Sequence, residues 1–228
     1  MIVSHKHEFI FLKTRKTAGT SIEVFLSEGC GDQDIVTEIF PEESNHRPRN
    51  FRGIASPFES AARQEPFLRR LRHAVSFRRY YNHMPAELVK ARVGEDIWNR
   101  YFKFCVERNP WDKTVSMYYM YLKRSGKEIS FEQFVDSYPR LPVNYGLYSD
   151  RQGNLMVDRL LRYESLNDEL AAVFQSLGVP FEGALQQRAK SDYRTEQGRY
   201  QDMYTSGSRN RVAEIYKQEI DLLGYEFD

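Results

Sequence analysis

The chain has 228 residues, 41% of them hydrophobic, with 33 lysines and arginines against 32 aspartates and glutamates. That is enough chain to bury a substantial core, and one domain over 1–228 is expected. No apolar run approaches the roughly 20 residues that span a bilayer. Two cysteines, Cys30 and Cys105, do not make a disulfide framework, and without a Cys/His cluster at zinc spacing no metal is expected.

The first element is the apolar run Phe9-Ile10-Phe11-Leu12, a strand over 8–13 of the kind buried in a parallel sheet. Its closeness to Met1 leaves no room for a secretion signal, so a reducing cytoplasm is the expected compartment. A basic turn of small residues, Lys13 to Thr20, leads into an amphipathic helix over 20–28. Strand, tight turn and helix N-terminus in that order make an anion cradle, because the first helical N–H groups have no partner within the helix. Gly19 is expected to let the backbone approach a phosphate, Lys16 to supply a point charge, and Thr20 and Ser21 to supply hydroxyl donors. The lysine precedes the Thr17-Ala18-Gly19-Thr20-Ser21 run, an order that does not fit the G-x-x-x-x-G-K-[ST] loop of ATPases and GTPases.

A strand near Ile35 to Phe40 follows, then an irregular basic insertion at about 41–80. Between Arg47 and Arg79 nine arginines face two acids, Glu59 and Glu65, a local excess of seven positive charges. Such a segment suits an anionic glycan acceptor, an acidic carrier, peripheral contact with a membrane surface, or merely a solvated basic helix. No nucleic-acid motif accompanies it, so nucleic acid is not an expected partner. Tyr81-Asn82-His83-Met84-Pro85 opens a helix over 85–93 that Gly94 stops. The stretch 101–107 is a second core strand containing Cys105. Asn109 is a good N-cap and Pro110 suits the first position of a helix over 110–123. Ser116 lies about two turns beyond that cap, so Arg108 and Ser116 are placed to clamp one phosphate together.

Ser130 with Gln133 forms a capping box for a short helix ending near Ser137. A loop over 140–152, a strand over 160–163 and a helix over 166–177 stopped by Gly178 come next. A basic segment, 188–194, and a helix over 208–223 complete the order. Alternating strands and helices indicate an α/β fold whose mainly parallel sheet is covered on both sides, with ligands at the carboxyl ends of the strands.

Arg15-Lys16-Thr17-Ala18-Gly19-Thr20-Ser21 resembles the loop with which the sulfotransferase superfamily binds PAPS (3′-phosphoadenosine 5′-phosphosulfate), usually written P-K-T-A-G-T-S, with arginine here at the first position. Arg108-Asn109-Pro110-Trp111-Asp112 followed by Ser116 resembles that family's 3′-phosphate motif, departing at Glu107, where the family pattern is apolar. The resemblance implies a P-loop-like three-layer fold and transfer of a sulfuryl group from PAPS to a hydroxyl, foremost that of a carbohydrate, with PAP as product. It implies that Arg15 to Ser21 hold the 5′-phosphosulfate, that Arg108 and Ser116 hold the 3′-phosphate, and that Lys16 assists the leaving group. It places a catalytic base at His83, with His46, His73 and Glu107 as rivals, and makes Lys190, Ser191, Tyr193 and Arg194 residues of a lid over the donor. A P-loop phosphotransferase and a non-catalytic anion- or glycan-binding relative remain the alternatives, and the acceptor stays open among glycan, lipid-linked sugar and small alcohol.

Overall fold

The computed structural model describes residues 1–56, 58, 66–137, 141–183, 185 and 198–228. The elements run β1 (Ile2–Ser4), β2 (Phe9–Phe11), α1 (Gly19–Gly29), β3 (Ile35–Val36), α2 (Phe67–Val75), α3 (Ala86–Val93), α4 (Glu95–Arg100), β4 (Phe102–Glu107) and α5 (Pro110–Ser125). They continue with α6 (Phe131–Ser137), α7 (Tyr145–Tyr148), β5 (Arg159–Arg162), α8 (Leu166–Ser176), α9 (Ser206–Ile215) and α10 (Lys217–Leu223). The sheet order is β3-β1-β2-β4-β5. β2, β4 and β5 pair in parallel, whereas β1 pairs antiparallel with both β2 and β3. β1 alone therefore runs against the others, and the sheet is mostly parallel by direction.

The period-two alternation of each strand divides the core into two faces. Val3, Ile10, Leu12 and Cys105 point to one, where α3 and α4 pack with Leu88, Val89 and Trp98. Ile2, Phe9, Phe11, Phe104, Val106 and Leu161 point to the other, against Ile22 and Leu26 of α1 and Leu170, Val173 and Phe174 of α8. Both faces of the strands are thus apolar, which is why β2 reads as a continuous hydrophobic run. A third cluster joins α5, α6, α9 and α10 around Trp111, Val115, Phe134, Val212 and Tyr216. The helices flank the sheet as expected of a mixed α/β fold.

The expected signals at the ends of α5 and α6 are in place. Asn109 caps α5, its side chain accepting from the N–H groups of Trp111 and Asp112, and Pro110 opens the helix. The Ser130–Gln133 box closes in both directions, at 3.0 and 3.1 Å. Several boundaries differ. The strand expected over Ile35–Phe40 ends at Val36, and β1 was not expected at all. Gly94 stops α3 in a positive-φ conformation, but α4 begins at the next residue. The basic insertion contains the helix α2, and the loop over 140–152 contains α7. The single helix expected over 208–223 is two, interrupted at Tyr216, whose ring is wholly buried between them. Among the described residues no helix is long and apolar enough to cross a membrane.

Candidate functional site

The carboxyl ends of β2, β4 and β5 open onto one cavity of about 1160 Å³. Residues 13–21 enter it after β2, Arg108 after β4, and residues 163–168 after β5. Ser116 of α5 and His83, ahead of α3, line it too. Of the site residues expected from sequence, Arg15 to Ser21, His83, Arg108 and Ser116 therefore share one space. Lys190, Ser191, Tyr193 and Arg194 lie outside the described residues.

The loop after β2 has an unusual backbone. Lys16 and Ala18 both have positive φ, 64° and 57°, without being glycine. Non-glycine residues in the left-handed region cost of order 1–3 kcal/mol each and persist where the surroundings over-determine them. Such conformations turn successive N–H groups toward one concavity and make an anion nest. The turn is held from beneath: the Thr14 hydroxyl donates to the Val106 carbonyl of β4 and accepts from the Thr17 hydroxyl at 2.8 Å. Gly19 also makes room within the fold. A Cβ there would lie 2.8 Å from Cγ of Lys13, so the glycine admits the Lys13 stem beneath the start of α1.

Arg15, the departure from the family loop, is used through its backbone. Its N–H donates to Oδ1 of Asn144 at 2.9 Å, and its carbonyl accepts from Nδ2 of Asn144 at 3.1 Å. A proline at 15 would have no N–H for this pairing. Asn144 is fully buried, and Nδ2 also donates to Oε1 of Glu107 at 3.2 Å.

Glu107 neither pairs with the Arg108 guanidinium nor points into solvent. It is fully buried, receives Nζ of Lys113 at 2.7 Å, and accepts the Arg108 N–H at 2.9 Å. Its expected rivalry as a base is thereby removed, since its carboxylate is committed to a buried ion pair away from the cavity lining. The Arg108 guanidinium forms a fork with Asp112 through Nε (2.8 Å) and a second nitrogen (2.6 Å), and lies 4.2 Å from the Tyr163 ring centre. A third nitrogen faces the Lys16 carbonyl at 3.4 Å. Arg108 is thus oriented by the donor loop, Asp112 and an aromatic face at once.

His83 also has positive φ, 59°, and its Nδ1 lies 3.0 Å from the Lys13 carbonyl. A carbonyl only accepts, so Nδ1 carries the proton and Nε2 is left as the basic nitrogen. Burial, then the positive charges of Lys13 and Arg15, hold His83 well below the ordinary histidine range. It is neutral at neutral pH. The rival histidines are elsewhere: His46 is buried 3.9 Å from Glu23, and His73 stacks on Tyr81 at 3.7 Å between ring centres. Neither lines the cavity. Sequence reasoning missed Glu23, Asn144, Lys113 and Glu219, polar residues whose partners are distant in sequence; only their placement in the fold marks them.

With a basic loop at a strand end, an oriented arginine and a neutral histidine around one cavity, the arrangement can bind a multiply charged anion and accept a proton beside it. An uncharacterized protein of Archaeoglobus fulgidus is 41% identical over 106 residues, which cover 43% of this chain and 86% of that relative. The model of the sulfotransferase family matches residues 1–226, nearly the whole length over which these elements are distributed, and the chain belongs to the sulfotransferase family.

Proposed function

We propose that this protein is a PAPS-dependent sulfotransferase acting on a hydroxyl acceptor, with a carbohydrate as the first class to test. The observation that carries the reading is the convergence of Lys16 to Ser21, Arg108, Ser116 and His83 on one cavity at the carboxyl ends of three parallel strands. In this reading the N–H groups of 17–21, with the side chains of Arg15 and Lys16 beside them, receive the 5′-phosphosulfate in a P-loop-like manner, and Arg108 with Ser116 receives the 3′-phosphate. Lys190, Ser191, Tyr193 and Arg194 would close over the donor. The acceptor oxygen attacks sulfur as the bond between sulfur and the bridging oxygen breaks. Nε2 of His83 takes the acceptor's proton, and Lys16 stabilises the charge that PAP carries away. Positioning and charge stabilisation dominate such a transfer.

Calorimetry of PAP binding, with ATP and Mg²⁺ as the control, tests the donor site; PAP binding without ATP binding is expected, and folded protein that binds no PAP overturns the reading. A labelled-PAPS transfer assay over hydroxyl acceptors then tests the chemistry. His83→Ala should lower turnover about 10²–10⁴-fold with PAP affinity retained. Because the His83 pKa lies below its ordinary value, the base stays neutral through pH 7, and activity should fall only at acid pH as the ring protonates.

A further inference from the structure

Helix α2 is amphipathic in the wrong direction for a soluble helix. Its positions turn by about 100° per residue, which gathers Phe67, Leu68, Leu71, Ala74 and Val75 on one arc of about 120°. None of its residues is buried. Leu68 is 78% exposed and Val75 71%, and Phe67 and Leu71 are exposed as well. The polar side is the one that packs: Arg69 donates to the Asn82 carbonyl at 3.4 Å, and His73 stacks on Tyr81. The apolar arc therefore faces out, with Arg70 and Arg72 at its two margins. Loops on either side extend it, since Ile54 is 86% exposed, Phe77 60%, and the exposed ring of Phe58 meets that of Phe67 at 5.8 Å.

We propose that this face docks onto an anionic phospholipid bilayer, with the apolar arc entering the headgroup boundary and the flanking arginines meeting lipid phosphates. Contiguous exposed apolar surface rimmed by charge marks an interaction site. The occupant must be apolar in the middle and acidic at the edge, since Arg70 and Arg72 flank the arc and α2 carries no acid. A lipid surface meets both demands, and its fluidity suits large side chains contributed by a helix and two separate loops better than a groove of fixed shape. Arg69 seats the helix on Asn82, the residue before His83. The docking itself does not depend on the sulfotransferase reading.

Co-sedimentation of the full chain with vesicles tests it. Binding is expected to phosphatidylcholine vesicles containing about 30 mol% phosphatidylglycerol, weakening with salt, and not to phosphatidylcholine alone. Arg70→Gln with Arg72→Gln should weaken binding about 30-fold. Leu68→Asp with Val75→Asp should abolish it while leaving the circular dichroism spectrum and PAP affinity unchanged. Leu68→Trp should show a blue-shifted emission on anionic vesicles. Failure of the wild type to sediment overturns the proposal, as does equal binding by the double aspartate variant or an unshifted tryptophan. Concentration-dependent dimerisation that the same aspartates abolish, without vesicle binding, would assign the face to a second copy instead.

Discussion

Two buried carboxylates, Glu23 and Glu107, support the loop after β2, and their charge balances differ. Glu23 of α1 faces Nζ of Lys13 at 2.7 Å and the amino group of Met1 at 2.5 Å, whose own pKa burial lowers to about 5. Burial pushes its carboxyl up, but the Lys13 charge, with the hydrogen-bonded Met1 amino group behind it, outweighs burial and holds it below the ordinary value. On the other side Glu107 shares Lys113 with a second carboxylate, Glu219 of α10, whose oxygen lies 4.0 Å from Nζ. Burial, then the charge of Glu107 against the opposing pull of Lys113, holds the Glu219 carboxyl above its ordinary value. On one flank a single carboxylate has a lysine to itself; on the other, two carboxylates share one. The first needs its acid ionised; the second tolerates a proton.

The largest expected effect tests that contrast directly. Lys113→Met orphans Glu107 in the core and should cost about 3–5 kcal/mol in urea denaturation. Lys13→Met should cost less, because Glu23 keeps the amino group as a partner. The opposite ranking would break the comparison.

Asn144→Ala is expected next, at about 1–3 kcal/mol, since it strands the Arg15 N–H and carbonyl in a buried setting. It should weaken PAP binding as well, which a purely structural residue remote from the loop would not do. The smallest effect belongs to Glu219→Gln, under about 1 kcal/mol at neutral pH. Oε1 of Glu219 accepts the Asn144 N–H at 2.9 Å, a role an amide oxygen can keep, and Oε2 has no hydrogen-bond partner among the described residues. A carboxyl whose folded pKa is raised contributes stability at low pH that is lost as pH rises through that pKa. The variant should therefore gain on the wild type as pH increases, measured as the difference in denaturation midpoint.

Acid should also destabilise the wild type through buried His46 and half-buried His73. Burial first lowers both His46 and His73 to about 4, below the ordinary value of 6.5. Between those values the unfolded chain binds more protons than the folded one, so stability should fall as pH drops from about 6.5 to 4. A stability profile flat over that window would show that neither ring is held neutral.

What the sequence revealed and what it concealed divide along physical lines. β2, α1, β4 and α5 carry their own local patterns: apolar runs, a capping asparagine, a proline at the first helical position. The cavity residues Lys16, Arg108 and Ser116 each lie within a short local motif, so they were legible without a fold. β1 is three residues long and offers no period to read. The interruption at Tyr216 arises from tertiary burial of its ring, which no helix propensity records. Glu107 looked like a defect in a phosphate motif, because Lys113 and Asn144 become its partners only once α5 and the chain before α7 have packed. The apolar arc of α2 was hidden by the arginines interleaved with it.

Asn144 carries a consequence for how the molecule is assembled. The Arg15 peptide is fastened by a residue 129 positions later, and that residue's own N–H is fastened by Glu219, a further 75 positions along. Closing contacts of such separation is slow, because chain entropy is lost before the contacts form. During synthesis the β2–α1 unit emerges early, with every residue of the anion nest present. Its lock comes from α10. A nascent chain released before that helix would carry the loop without the Glu219 carboxylate that fastens Asn144, so the loop's full hydrogen-bond support is completed late in synthesis.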